Sequence, residues 1–273
     1  KKEKWKPYLD YVLKEQEWLK EHQEQELKEI RSKDGLTLRA AYIPKENSKG
    51  TIICMHGYHS TNDIEFVPEV RFLWNLGYSI LLPWQRSHGK SEGRYITYGV
   101  KERHDLKRWI LYTNRHLAVK NKDIFLCGIS MGCATTLMAA GLDLPDNVKG
   151  IIADCGFTSP WDIIKHVAKE RFHLPPFPLM YMVDLISEVV AGFGLKEVSI
   201  PEIMKRNKIP VLFIHGDADD YVPMWMTIKN YEACAAKKEL YIVSGAGHAL
   251  AFSKDMEEGK RRIKNFIDKY KTI

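Results

Sequence analysis

The sequence predicts an α/β protein in which a mostly parallel central sheet has helices on both faces and a helical insertion over one end. Three observations carry that prediction. From Thr51 onward, short and almost continuously apolar runs alternate with stretches of helical periodicity, the pattern of parallel strands buried on both faces. Gly128-Ile129-Ser130-Met131-Gly132 stands where one such run meets the helical stretch that follows it. The interval from Ala153 to Ile209 contains no strand-like run and is too long for an ordinary crossover.

In chain order, Trp5, Tyr8, Leu9, Val12, Leu13 and Leu19 recur near helical spacing with Lys and Glu between them. This predicts an amphipathic helix forming an N-terminal unit over residues 1–24. Leu27–Arg31 and Leu36–Ile43 flank Lys33-Asp34-Gly35, and Asp-Gly between strand-like runs signals a hairpin. Strands are expected at Thr51–Met55, Tyr78–Leu82, Ile124–Cys127, Val148–Ala153, Val211–Ile214 and Leu240–Val243. Helices are expected near 63–76, 99–117, 132–141, 224–236 and 254–270. Residues 25–156 and 208–273 then form the body, and 157–207 the helical cap insertion. Pro160, Pro175, Pro176, Pro178 and Pro201 punctuate that insertion, leaving room for helices at about 160–172 and 178–192.

Composition narrows the function classes. With 273 residues, 45% hydrophobic and 28% charged, the chain is neither disordered, collagen-like nor a small disulfide scaffold. The longest apolar stretch, Pro176 to Leu195, is interrupted by Asp184 and Glu188 and does not read as a membrane span. The net charge of +6 sits mainly at the two ends, in residues 1–6 and 260–271, as on solvated helix faces. No concentrated basic face with interleaved aromatics points to nucleic acid. The N-terminal stripe and its lysines leave open a membrane association, against simple packing on the body. The five cysteines include no CxxC pair, and Cys54 and Cys127 lie in apolar runs as buried small hydrophobes. A cytoplasmic location is expected, or a membrane-anchored or secreted one if a leader has been removed before Lys1.

The chemistry-bearing residues cluster after strands. The G-x-S-x-G around Ser130 follows Ile124–Cys127 and opens a helical stretch, the context a nucleophile elbow requires. His215-Gly216-Asp217-Ala218-Asp219-Asp220 follows Val211–Ile214, so carboxylates reach the C-terminal sheet edge, where such sheets place their sites. Ser244-Gly245-Ala246-Gly247-His248 follows Leu240–Val243 and puts a histidine in a small-residue loop at the same edge. A serine hydroxyl is a weak nucleophile and needs a base, which His248 supplies and one of Asp217, Asp219 or Asp220 orients.

In these residues the sequence resembles the α/β-hydrolase fold family over about residues 25–270, through His56-Gly57, Arg86-Ser87-His88-Gly89-Lys90-Ser91, the Ser130 elbow, the Asp219 segment and the His248 loop. It looks closest to bacterial serine esterases and peptidase-like hydrolases with a short helical cap. Trp84-Gln85-Arg86-Ser87-His88-Gly89 departs from the Asp and Arg-Gly-His-Gly that members often carry there. The resemblance implies a triad of Ser130, Asp219 and His248, the acid being placed by the pattern HGxxDxxVP. It also implies an oxyanion hole from the backbone N–H groups of Tyr58 and Met131. His56 is expected to brace that loop, and His88 to be a structural loop residue.

For the substrate pocket the aromatic-rich insertion suggests Trp161, Phe177, Met180 and Tyr181, with Trp225 beyond the acid loop. The expected activity is a carboxylesterase acting on a small-molecule ester without metal or organic cofactor. The alternatives are an amide, peptide or thioester hydrolase and a noncatalytic binding protein of the same fold. No propeller-like domain accompanies these elements, which weighs against a prolyl-oligopeptidase activity.

Overall fold

The structure is a computed structural model and describes residues 2–23, 26–117 and 122–272. Helix α1 (Lys2–Gln23) leads into the hairpin β1 (Leu27–Arg31) and β2 (Thr37–Ile43), paired antiparallel with Leu27 opposite Ala41. Gly35, at φ +89°, takes the left-handed turn position between them. Strand β3 (Gly50–Met55) is followed by α2 (Asn62–Glu65), α3 (Val67–Asn75), β4 (Ser79–Pro83), α4 (Glu102–His116), β5 (Asp123–Ile129) and α5 (Met131–Ala139). Strand β6 (Val148–Asp154) precedes α6 (Pro160–Glu170), α7 (Pro176–Ile186), a π-helical turn (Ser187–Ala191) and α8 (Ile200–Met204). The chain closes with β7 (Val211–Gly216), α9 (Met224–Ala233), β8 (Lys238–Val243), α10 (Ala251–Lys254) and α11 (Met256–Tyr270).

The strands form one sheet in the order β1-β2-β4-β3-β5-β6-β7-β8, antiparallel through the β2–β4 pair and parallel from β4 onward. Every residue of β3, β4, β5 and β7 is buried, because helices cover both faces. The two-residue period divides the core. Ile53, Met55, Leu126 and Phe213 join the side chains of α4 and α5, while Ile52, Cys54, Phe125 and Leu212 join those of α3 and α11. Parallel strands β3 and β5 to β8 therefore end at one edge, and the loops leaving that edge are the ones that carry Tyr58, Ser130, Asp219 and His248.

Helix α1 packs on α3 through buried Leu19, and the Tyr11 hydroxyl donates to Pro68 O at 2.7 Å. The side chains of Trp5, Tyr8 and Leu9, and residues Lys1, Glu24 and Gln25, lie outside the described part. Helix α6 begins at Ser159, whose Oγ accepts the Asp162 N–H at 3.0 Å, with Pro160 in its first turn. The outer side of α7 and the turn after it exposes Phe177, Tyr181, Leu185 and Val189. The five-residue α8 has no counterpart in the periodicity of the sequence, being too short to show one. Among the described residues no helix is long and apolar enough to cross a membrane.

Candidate active site

Strand β5 turns into α5 at Ser130, which sits at φ +55°, ψ −116°. This conformation is strained for a residue with a Cβ, by about 1–3 kcal/mol, and holds only because its surroundings impose it. Gly132 is obligatory, since a Cβ there would lie 1.8 Å from Met55 O. The Ser130 N–H donates to Asp154 O at 2.9 Å, fixing the elbow to the end of β6.

Ser130 Oγ lies 2.9 Å from His248 Nε2, and His248 Nδ1 lies 2.7 Å from Asp219 Oδ2. A carboxylate only accepts, so Nδ1 carries the ring proton and Nε2 presents a lone pair to the serine hydroxyl. The three residues come from the ends of β5, β7 and β8. Asp219 Oδ1 accepts the N–H groups of Tyr221 and Val222, each at 2.9 Å, and Oδ2 also lies 3.2 Å from His215 Nε2. Burial alone would push the Asp219 carboxyl up, but the hydrogen bonds from His215 and His248 outweigh it and hold the group well below the usual carboxylate range.

The two competing carboxylates do other work. Asp217 accepts the Gly245 N–H at 2.6 Å, so it ties its loop to the histidine loop rather than bracing only its own turn. Asp220 is exposed and faces Arg171 at 3.6 Å. His215 was not singled out by sequence reasoning. It is fully buried, with Nδ1 2.8 Å from Thr227 Oγ1 and Nε2 2.9 Å from Val222 O, and its placement four residues before Asp219 at a strand end was the available signal.

The loop after β3 runs beside Ser130: a Cβ on Gly57 would lie 3.3 Å from Ser130 Cβ. His56 Nδ1 donates to Gly57 O at 2.8 Å while its Nε2 accepts the Gln85 N–H at 3.0 Å. The Gln85 side-chain amide donates to His56 O. His88 is used in the same way, with Nδ1 2.9 Å from Arg86 O and Nε2 accepting the His59 N–H at 3.2 Å. Trp84-Gln85-Arg86 thus replaces the commoner loop with a network of its own. Met131 N–H is in the first turn of α5, where helix geometry leaves N–H groups unpaired.

A cavity of about 360 Å³ opens at Ser130, between Tyr58 and Met131 on one side and α6 on the other. Ile163, Ile164, Val167 and Ala168 form the α6 wall, and Phe157, Phe172, Tyr98 and Tyr221 add rings. Tyr58 and Tyr98 stack with centroids 5.3 Å apart. The five side chains expected to form this pocket stand elsewhere. Met180 is buried in the main core, Trp161 packs edge-on to Tyr181 at 5.4 Å, and Phe177, Tyr181 and Trp225 are exposed. The side chains that line the cavity beside Ser130 come from α6, whereas α7 contacts α6 and contributes none of them.

Compared with known proteins, the prolyl oligopeptidase family matches residues 91–272, most of the chain. The chain belongs to that family. It is 29% identical over 244 residues to YqkD of Bacillus subtilis, covering 88% of this chain and 78% of that protein. It is 25% identical to the fission-yeast protein bem46 over 217 residues, covering 78% and 67% respectively. Among solved structures, the Pyrococcus furiosus esterase Pf2001 superposes with a TM-score of 0.73 at 26% identity, covering 90% of this chain and 92% of that one. As a prolyl oligopeptidase family member, the chain is a hydrolase of the α/β-hydrolase type, with an eight-stranded, mostly parallel sheet.

This family member also holds three buried carboxyls near Ser130, Asp219 and His248. Glu65, at the end of α2, accepts the Gly57 N–H. Burial, opposed by that hydrogen bond and reinforced by the charge of Asp154, pushes Glu65 up to about 7. Asp154 is pushed up to about 6 by burial, against the pull of His215 and His248. Burial, with Asp154 and Glu65 nearby, raises Glu69 well above the usual range. Sequence reasoning missed the trio because Glu65 and Glu69 lie in a helical stretch, where acids ordinarily face solvent. Cys155, Asp219 and His248 bring three donor atoms within 4.8 Å of one another. Burial raises the Cys155 thiol well above its usual range, so it stays protonated, a poor metal ligand beside two groups already hydrogen-bonded.

Proposed function

We propose that the chain is a serine hydrolase that cleaves carboxylic esters through an acyl-enzyme on Ser130. The observation that carries this reading is the hydrogen-bonded chain Ser130–His248–Asp219, at 2.9 and 2.7 Å, opening into a cavity walled by apolar side chains. Ser130 Oγ attacks the acyl carbon as His248 Nε2 takes its proton. His248 then returns the proton to the leaving alkoxide, and the acyl group stays on Ser130. Water, deprotonated by the same nitrogen, releases the acid. Asp219 holds the tautomer and stabilises the imidazolium formed in each step. The Tyr58 and Met131 N–H groups receive the oxyanion, each contributing roughly 3 kcal/mol to the transition state.

The insertion over residues 157–207 acts as a cap, with α6 as the acyl-side wall. An esterase reading is supported by the likeness to Pf2001, itself described as an esterase, and by walls that offer an acyl chain apolar contact. Membership of the prolyl oligopeptidase family supports a second reading, peptide or amide cleavage by the same triad. Hydrolysis of p-nitrophenyl esters of increasing acyl length, beside matched anilides, separates the two. The ester reading expects ester turnover that exceeds anilide turnover and falls once the acyl chain outgrows the cavity. Ser130→Ala is expected to lower kcat by about 10⁶-fold with the fold unchanged. Full activity in that variant would end both readings.

A further inference from the structure

We propose that Glu65 is a positioning residue that clamps the oxyanion loop from behind, holding the Gly57 backbone so that the Tyr58 N–H is presented to the oxyanion that forms on the acyl group at Ser130. The inference rests on the serine-hydrolase reading for its catalytic consequence, but the clamp itself is a matter of backbone geometry. The peptide between His56 and Gly57 is held at both ends. Its N–H donates to Glu65 Oε2, and its carbonyl accepts the Gln85 side-chain amide. The next peptide, between Gly57 and Tyr58, has its carbonyl oxygen fixed by His56 Nδ1 at 2.8 Å. A trans peptide is planar, with N–H and C=O pointing in opposite directions. Fixing Gly57 O on the His56 side therefore directs the Tyr58 N–H away from it. Only the plane of the preceding peptide remains to be set, and Glu65 and Gln85 set it.

The position of the carboxylate is constrained from the other side as well. A Cβ on Gly57 would meet Glu65 Oε1 at 2.8 Å and Ser130 Cβ at 3.3 Å, so acid, loop and nucleophile are stacked in contact. A side chain at 57 would crowd both the Glu65 carboxylate and Ser130, so glycine suits this close approach. The groups facing Glu65 are Asp154 at the end of β6, Glu69 on α3 and the Cys155 thiol. An acid is an unfavourable choice among them on stability grounds, which is the expected mark of a residue retained for what it holds. Glu65 touches no reacting atom. It acts through the loop, and removing it loosens a donor that matters only once the oxyanion forms.

The test compares Glu65→Leu, which removes the acceptor, with Glu65→Gln, which keeps an acceptor oxygen in the same shape. For a p-nitrophenyl ester, Glu65→Leu is expected to lower kcat by 10- to 100-fold with KM within about twofold. The inhibition constant of a trifluoromethyl ketone, which forms the oxyanion on the enzyme, should weaken by the same factor as kcat. Glu65→Gln should recover most of both. Hydrogen exchange at the Gly57 amide should accelerate in Glu65→Leu and not in Glu65→Gln, a readout independent of turnover. Wild-type kcat and inhibitor binding in Glu65→Leu would overturn the proposal, as would equal losses in both variants or unchanged exchange at Gly57. A wild type that turns over neither esters nor anilides, with Gly57 exchange still governed by Glu65, would remove the catalytic consequence and the serine-hydrolase reading while leaving the clamp.

Discussion

At the scale of single residues, the site depends on which atom holds which proton. Asp219 accepts from His248 Nδ1 at 2.7 Å, so an amide in its place presents an N–H to the same nitrogen and favours the opposite tautomer. Asp219→Asn is therefore expected to lower kcat by about 10⁴-fold with little change in the far-ultraviolet circular dichroism, measured on the same ester. A loss of less than tenfold would mean that the ring is oriented by something else. The buried acids make a different prediction. Glu69 has a folded-state pKa raised well above its unfolded value by burial. Its contribution to stability is then full below the unfolded value and is lost as pH rises, because the unfolded state releases a proton that the folded state keeps. Glu69→Gln should leave the melting temperature near that of the wild type at pH 5 and raise it progressively toward pH 8. A difference independent of pH would show that Glu69 does not titrate on unfolding.

At the scale of elements, the sheet and the meeting of Ser130, Asp219 and His248 at one edge were legible because both impose residue types at strand ends. Continuous apolar runs mark β3 to β8, and a serine, an acidic segment and a histidine each follow one of them, so order and spacing bring all three to one edge, while the choice of Asp219 within its segment came from the family pattern. The pocket was not legible. The periodicity of α7 shows an apolar helix, but not which helix faces Ser130, and aromatic content points to α7 whereas the aliphatic stripe of α6 lines the cavity. Glu65 and His215 were hidden for a related reason: their partners, a loop N–H and a carboxylate from neighbouring loops, exist only after the loops fold. The α6 wall gives its own prediction. Ala168 lines the cavity and is nearly buried, so Ala168→Phe projects a ring into the acyl space. Turnover of longer p-nitrophenyl acyl esters should fall at least tenfold while that of the acetate stays within about twofold. An unchanged chain-length profile would place the acyl group elsewhere.

At the scale of the whole molecule, two groups of ion pairs differ in kind. One is internal. Buried Arg86 makes bidentate contacts with both Asp105 on α4 and Asp34 in the hairpin turn, joining the edge of the sheet to a helix on its face. The other is at the surface of α11, where Arg261 and Arg262 meet Glu258, and Lys264 and Lys271 meet Asp268, so much of the C-terminal basic charge is locally paired. Exposed pairs of that kind contribute little, whereas removing Arg86 strands the buried Asp105 carboxylate and is expected to cost about 3 kcal/mol. Chemical denaturation of Arg86→Met checks the figure, and a change under 1 kcal/mol would contradict it. The proposed function makes one demand on the whole molecule: Ser130, at the mouth of the cavity and hydrogen-bonded to His248, must behave as an activated nucleophile. The measurement that bears on this most directly is intact-mass analysis of the folded protein after brief exposure to a fluorophosphonate. A single phosphonyl adduct that maps to Ser130 and is absent from Ser130→Ala is expected. A folded protein that takes up no adduct, or carries it on another residue, would contradict that role for Ser130.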